Sequence, residues 1–295
     1  MPSKIEKSDK LLYQNKLRDF LVLRKAKDFF SHTSIGKPLG SFYIRMSETD
    51  EFLDIYHNVV FEQKIPIYLT EGIKDLENTP LKVDLDFRYF RDKAERIYVE
   101  NDIKQICIKY MEIIEEYLED IEDSDRIFYI LEKPNPTVDK DKSGNENINS
   151  DGLKKIKDGI HIMAPGIVTN VYLQHKFRKY VYKNCNDILD KHKFDNNYSD
   201  IFDSAVIDRN NWQMYGSTKP DQPPYVVSKM YMVYTDRVEE IHNIPSSKEL
   251  VHLLSIRNKF DHSLIKPDKE DEVFHTIEIP KRKITSKKNR KEGNY

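Results

Sequence analysis

Val83-Asp84-Leu85-Asp86-Phe87 alternates apolar and acidic residues without a break, and it commits this stretch to one local structure. In a β-strand, neighbouring side chains point to opposite faces. Val83, Leu85 and Phe87 are therefore expected in a core, with Asp84 and Asp86 projecting together from the other face. Two carboxylates side by side repel unless a cation or a proton lies between them. Hard oxygen donors of this kind suit Mg²⁺ or Mn²⁺. The same spacing also serves an ordinary solvated strand face, so the pair alone leaves both readings open.

A second strand-like segment, Lys157-Asp158-Gly159-Ile160-His161-Ile162-Met163, has the same period. Ile160 and Ile162 would face a core, leaving Gly159, His161 and Met163 opposite. A Gly two residues before a His leaves room for a bulky ligand, although a lone His also serves as a hydrogen-bonded structural residue. A third segment, Ile201 to Asp208, reads as a strand near Ile201–Ile207 with Asp203 inside a β-branched run. Burying an acid there is costly without a partner, and a metal shared with Asp84 and Asp86 would be one. The loop beyond it ends in Gly216-Ser217-Thr218-Lys219, small residues whose backbone can approach phosphate, with a Lys to neutralise it. A hairpin with a chance lysine fits that loop equally well.

The remaining pattern predicts an α+β chain. Helices are expected from about Leu11 to Phe30, from an Asp102 cap to about Ile121, from Asn170 to His192 after Thr169, and from Ser247 to Phe260. Strands are expected at Ser41–Met46, Ile65–Leu69, Ile127–Leu131 and Tyr225–Val233. Val138 to Lys157, rich in Lys, Asp, Asn, Ser and Gly, reads as a mobile loop. The expected organisation is a helical extension over 1–40, a catalytic core over 41–235 with that loop as a flexible insertion, an extension over 236–280, and a disordered basic linker over 281–295.

Charge excludes little. The 295 residues carry a formal −2, with 33% charged and 38% hydrophobic, so no global positive field announces a polyanionic partner. The distribution is uneven: Lys281 to Tyr295 holds seven Lys/Arg against the single acid Glu292, read as a solvated linker. Cys107 and Cys185 are the two cysteines, which rules out a disulfide framework or a cysteine-rich zinc site and suggests buried thiols. No apolar run reaches the roughly 20 residues of a membrane span, and Met1-Pro2-Ser3-Lys4 does not begin a signal peptide, so a soluble intracellular protein is expected.

In chain order, Asp-x-Asp, Gly-x-His, and an Asp before a loop ending Ser-x-Lys resemble the three motifs of the archaeo-eukaryotic primase superfamily. The neighbourhood of the third motif, Phe202 to Lys219 with Asn210-Asn211-Trp212 and Tyr215-Gly216-Ser217, is similar to the primase-polymerase branch and the primase–helicases of nucleocytoplasmic large DNA viruses. Leu253-Leu254-Ser255-Ile256-Arg257 looks like the segment beyond its polymerase core, so the resemblance spans about Ser41 to Lys259. It implies an RRM-like catalytic core with a mixed β-sheet flanked by helices, and metal ligation by Asp84, Asp86 and Asp203. It further implies nucleotide contacts from His161, Lys157, Gly159, Arg88, Ser217 and Lys219. Asp208 is a rival third carboxylate, disfavoured by the family pattern. Gln213 departs from that pattern, standing where the branch tends to have an Arg.

The implied chemistry is two-metal nucleotidyl transfer with Mg²⁺ or Mn²⁺. The implied partners are a single-stranded DNA template, a primer, ribo- or deoxyribonucleoside triphosphates and a helicase domain beyond Tyr295, at a viral replication site in the host cytoplasm or nucleus. Two other classes compete. A metal-dependent glycosyltransferase accounts for Asp-x-Asp but leaves Gly-x-His and Ser-x-Lys unexplained, and a non-catalytic nucleic-acid-binding module makes the acids structural. A β-type polymerase places its Gly-Ser before the Asp-x-Asp, opposite to the order here.

Overall fold

Alternation in the two motif strands builds the centre of the molecule. A computed structural model describes residues 14–258 and 261–275, with side chains through 272. Strands β1 (His32–Ser34) and β2 (Gly40–Phe42) follow helix α1 (14–22), and α2 (Thr49–His57) and β3 (Leu69–Glu71) come next. The long strand β4 (Asn78–Arg91) leads to α3 (Glu100–Tyr117), β5 (Ile127–Glu132), β6 (Thr137–Val138) and the longer β7 (Lys154–Asn170). Helices α4 (Val171–Lys183), α5 (Asn186–Leu189), α6 (Tyr198–Ile201) and α7 (Ala205–Asp208) precede β8 (Trp212–Gln213), β9 (Val226–Val233) and β10 (Val238–Glu240). Helices α8 (Ser247–Leu253) and α9 (Glu270–His275) close the described chain.

The main sheet runs β10-β9-β5-β7-β4, with β6 on β7, and a smaller sheet runs β2-β1-β3-β8. The α+β expectation holds; within it, every described strand pairing with a stated register is antiparallel rather than mixed. One face of the main sheet carries Val83, Leu85, Phe87, Ile160 and Ile162 against α3 and α4. That core supplies the apolar burial that holds the opposite, polar face in place. A second cluster unites Leu17 and Leu21 of α1, Phe52 and Tyr56 of α2, and Leu69 with Met214 and Val251.

Several elements depart from expectation. Helix α3 starts at Glu100, and Asp102 accepts the Val99 N–H at 2.9 Å from inside the first turn, so it is not itself the cap residue. The long helix after Thr169 is shorter, capped by the Asn170 side chain and stopping at Lys183, with α5 and a 3₁₀ turn over Asp190–His192 beyond. Ser41–Met46 and Ile65–Leu69 contribute strand only at their ends, and Ser247–Phe260 is helical to Leu253. The predicted strand over Ile201–Ile207 is two short helices joined at Phe202-Asp203-Ser204. Asn197 caps the first of them, and Val206 and Ile207 reach the core through a helical turn.

Nor is the loop before Lys157 featureless. Asp139 N–H bonds Lys155 O at 2.7 Å, Asn147 N–H bonds Asp139 O at 3.0 Å, and bridges pair Lys140 with Glu146 and Ile148 with Lys154. Cys107 and Cys185 are free and buried, as expected. No helix among the described residues is long and apolar enough to cross a membrane. The tail expectation over 281–295 lies outside the described residues.

Candidate active site

The pairing of β4 with β7 joins the first two motifs residue by residue. Asp84 lies opposite His161, Asp86 opposite Gly159 and Arg88 opposite Lys157. Directly opposed residues share a face, so both carboxylates and the imidazole stand on the polar side, with His161 Nε2 3.7 Å from Asp84 Oδ1. The third motif arrives through the main chain. Phe202 forms a bridge to Leu85, and Asp203 N–H donates to Asp84 O at 2.9 Å. Arg178 of α4 steadies that turn by donating to Phe202 O and Ser199 O, each at 2.5 Å. Asp203 Oδ1 accepts the Ala205 N–H at 2.8 Å.

These residues line a cleft of about 660 Å³ between the two sheets. Asp84, Asp86, Asp203, His161, Lys157, Gly159, Arg88 and Lys219 all reach it, and Asp208 does not. Asp208 turns instead to His175, at 3.4 Å, and to Arg209, at 3.3 Å. Between the rival acids, geometry groups Asp203 with the Asp-x-Asp pair.

Burial, then the charges of Asp86 and Asp203, push the Asp84 carboxyl well above the usual carboxylate range, against the pull of Lys219 and Lys133. Asp84 Oδ1 is buried and has no hydrogen-bond partner among the described residues. Such an orphan is costly unless something outside the chain meets it. No group of three His, Cys, Asp or Glu side chains among the described residues is arranged to hold a metal ion as it stands. The donor chemistry nevertheless fits a hard divalent cation: one orphaned carboxylate oxygen, two further carboxylates repelling it, and a cleft open to all three.

His161 is enclosed by rings. Tyr225 stacks on it at 3.7 Å and 20°, and Trp212 lies at 4.5 Å and 37°. Burial, helped by Lys133 and Lys219, pushes the imidazole down to about 3, so it is neutral near pH 7 and its approach to Asp84 is not an ion pair. Gly159 explains how Tyr225 gets so close. A Cβ there would meet Tyr225 Oη at 2.7 Å and Leu85 O at 3.3 Å. The room expected for a bulky ligand is therefore taken largely by a side chain of the protein itself.

The phosphate candidates divide. Lys157 Nζ is 2.5 Å from Asp139 Oδ1, tied to the hairpin beside β6. The Arg88 guanidinium is 3.8 Å from Asp86 Oδ2, and its Nε is buried without a partner among the described residues. Lys219 and Thr218 face the cleft, whereas Ser217 does not. Its hydroxyl donates to Ile67 O at 2.9 Å and accepts the Leu69 N–H at 2.7 Å, so it anchors the loop and is not free to meet phosphate. Gln213 lines the cleft and donates to Ser217 O at 2.5 Å.

A family model described as the C962R protein N-terminal AEP domain matches residues 31–231, more than half of the chain. The chain belongs to the archaeo-eukaryotic primase family. This AEP domain is similar to the helicase-named protein L207/L206 of Acanthamoeba polyphaga mimivirus, with 28% identity over 274 residues, 90% of this chain and 27% of that protein. It is also similar to the helicase-named protein 121R of Invertebrate iridescent virus 3, with 26% identity over 219 residues, 68% and 21% of the two lengths. The chain thus spans about a quarter of the length of each of these relatives.

Sequence reasoning missed three groups in the AEP cleft. Lys133 follows β5, where strict alternation from Tyr129 and Leu131 already places it on the His161 side. Tyr225 stands just before β9, and no local pattern marks it. Asn211 Nδ2 donates to Thr33 Oγ1 at 2.9 Å and so joins the third-motif loop to β1, a contact invisible before the smaller sheet is known.

Proposed function

We propose that this AEP domain is a template-directed primase-polymerase that makes or extends primers by nucleotidyl transfer. The observation that carries this reading is the buried, unpartnered Oδ1 of Asp84, set between Asp86 and Asp203 on the same cleft as His161 and Lys219. Asp84, Asp86 and Asp203 would hold Mg²⁺ or Mn²⁺, which when bound would supply Lewis acidity at the reacting phosphate and lower the pKa of the attacking hydroxyl. The rest of the work falls to the chain. The neutral His161 ring offers one N–H, held in fixed orientation by Tyr225 and Trp212, to a triphosphate oxygen. Lys219 adds positive charge where negative charge accumulates. The 3.8 Å approach of Arg88 to Asp86 restrains that acid and leaves its buried Nε to meet an incoming acceptor.

A single-stranded template and a primer would occupy the open ends of the cleft. The helicase names of both relatives, and the quarter of their length that is matched, support a helicase in the same native polypeptide. Incubation with Mg²⁺ or Mn²⁺, single-stranded template and labelled ribo- or deoxyribonucleoside triphosphates is expected to yield short extended products. Asp84→Ala/Asp86→Ala should reduce the yield by at least about 10²-fold, the order lost when one charge-stabilising group is removed from an active site. Undiminished synthesis by that variant would overturn the reading.

A further inference from the structure

The cleft holds a second ammonium that no motif marks. Lys133 Nζ donates to Gln222 Oε1 at 2.8 Å and lies 4.8 Å from the centre of the Tyr225 ring. Tyr225 in turn stacks on His161. Gln222 belongs to the turn that begins with Lys219, closed by Gln222 N–H to Lys219 O at 3.1 Å and by the Thr218 hydroxyl, which donates to Lys219 O at 2.9 Å. One turn therefore positions Lys219 directly and Lys133 through an amide.

Charge balance separates these two lysines from their neighbours. Lys157 is ion-paired with Asp139, and Arg88 approaches Asp86. Among the described residues neither Lys133 nor Lys219 has a carboxylate within 4.0 Å. Burial, and next the charge of Lys219, push the Lys133 ammonium below its ordinary value. A partly buried ammonium held by the Gln222 amide, with the exposed Lys219 ammonium beside it on the same cleft, is stabilised by an anion between the two. A ring face under one ammonium supports it without neutralising it.

We propose that Lys133 is a second phosphate-binding cation, clamped by Tyr225 and Gln222, and that Lys133, Lys219 and His161 form one subsite for the polyphosphate tail of a nucleoside triphosphate. The proposal rests on the nucleotidyl-transfer reading and names how that site grips its substrate. Lys133 contacts phosphate, whereas Tyr225 is a positioning residue that sets both His161 and Lys133.

The test is calorimetric titration of the full chain with inorganic tripolyphosphate, alongside primer extension at varied nucleotide concentration. Lys133→Met keeps an apolar stem on Tyr225 and deletes the charge. It should weaken tripolyphosphate binding about tenfold or more, as expected for loss of a charge-assisted contact, with an unchanged unfolding midpoint. It should raise the nucleotide KM much more than it lowers kcat. Lys133→Arg should retain most of the binding. Tyr225→Leu should reproduce the Lys133→Met defect, and Tyr225→Phe, which keeps the ring, should restore tripolyphosphate binding relative to Tyr225→Leu. Wild-type affinity in Lys133→Met, in a chain that binds tripolyphosphate and extends primers, overturns the proposal alone. Tripolyphosphate binding that depends on Lys133 in a chain that never incorporates nucleotides supports the subsite and overturns the polymerase reading. Absence of binding by the wild-type chain overturns the subsite.

Discussion

Two carboxylates with oxygens buried in this molecule, those of Glu71 and Asp84, meet opposite fates. Glu71, at the end of β3, is fully buried, and both its oxygens are engaged: Oε1 accepts from the Ser255 hydroxyl and Oε2 from the Ile256 N–H at 3.1 Å. Beside it, Arg257 grips Asp75 with bonds of 2.8 and 2.6 Å and donates to Gly72 O at 2.7 Å. Asp84, on β4, has an oxygen with no partner and two acids for neighbours. Burial raises the pKa of both carboxyls. The difference lies in what surrounds them: Glu71 is knitted into the junction between the smaller sheet and the residues after α8, whereas Asp84 is kept under electrostatic stress facing a cleft. A satisfied buried acid holds a fold together; an unsatisfied one among like charges is an arrangement that a bound cation would relieve.

That contrast can be broken first at Glu71. Glu71→Ala leaves the Ser255 hydroxyl and the Ile256 N–H buried without acceptors, and should cost about 2–4 kcal/mol of stability, read from urea midpoints. Its turnover per folded molecule should stay near wild type. A loss confined to turnover would place Glu71 in the chemistry and erase the distinction.

The pH dependence gives the next largest effect. Burial raises Glu71 to about 7 and lowers His32, whose Nε2 is 3.9 Å from Glu71 Oε1, to about 3. Between pH 4.5 and 7 the folded state holds a Glu71 proton that the unfolded chain releases, so this group makes stability fall as pH rises. His32 acts the other way between pH 3 and 6.5, where only the unfolded chain takes up the proton. Glu71→Gln should therefore steepen the rise of stability between pH 4.5 and 6.5, by at most about 1.4 kcal/mol per pH unit. An unchanged slope would mean that the Glu71 proton is not retained on folding.

The smallest effect has the opposite sign. Asp84→Asn removes one of three mutually repelling charges and should raise stability by about 1 kcal/mol in metal-free buffer while abolishing synthesis. Millimolar Mg²⁺ or Mn²⁺ should raise the unfolding midpoint of the wild type and leave that of Asp84→Asn unmoved. Destabilisation by Asp84→Asn would make Asp84 another Glu71.

Legibility in the sequence followed the range of the interactions. Asp84, Asp86 and His161 could be placed on one face because a period of two is a local property, and the register of β4 with β7 preserved it. Asp203 lies on the cleft beside the Asp-x-Asp pair, where the motif order places it, but in a turn between short helices rather than in a strand, because capping by Asn197 and the tether from Asp84 O outweigh β-branched propensity over a short run. The stretch before Lys157 has the composition of a loose loop, yet its Asp139 finds Lys157 only after β6 pairs with β7. Lys133 and Tyr225 meet through the pairing of β5 with β9, strands distant in sequence, and no local pattern reports such a meeting. Ser217 illustrates the converse: a residue type suited to phosphate is consumed by the backbone of Ile67 and Leu69.

The amide of Asp203 hangs from the carbonyl of Asp84, and α4 grips the same turn through Arg178. The jaws of the site thus share one joint, and its handle is a helix on the far side of the sheet. On the proposed metal-binding reading, ion affinity and the seating of α4 would be two readings of one equilibrium. A protein that presses on α4 would tune the grip on the ion from a distance, and a tightly held ion would slow amide exchange in that helix.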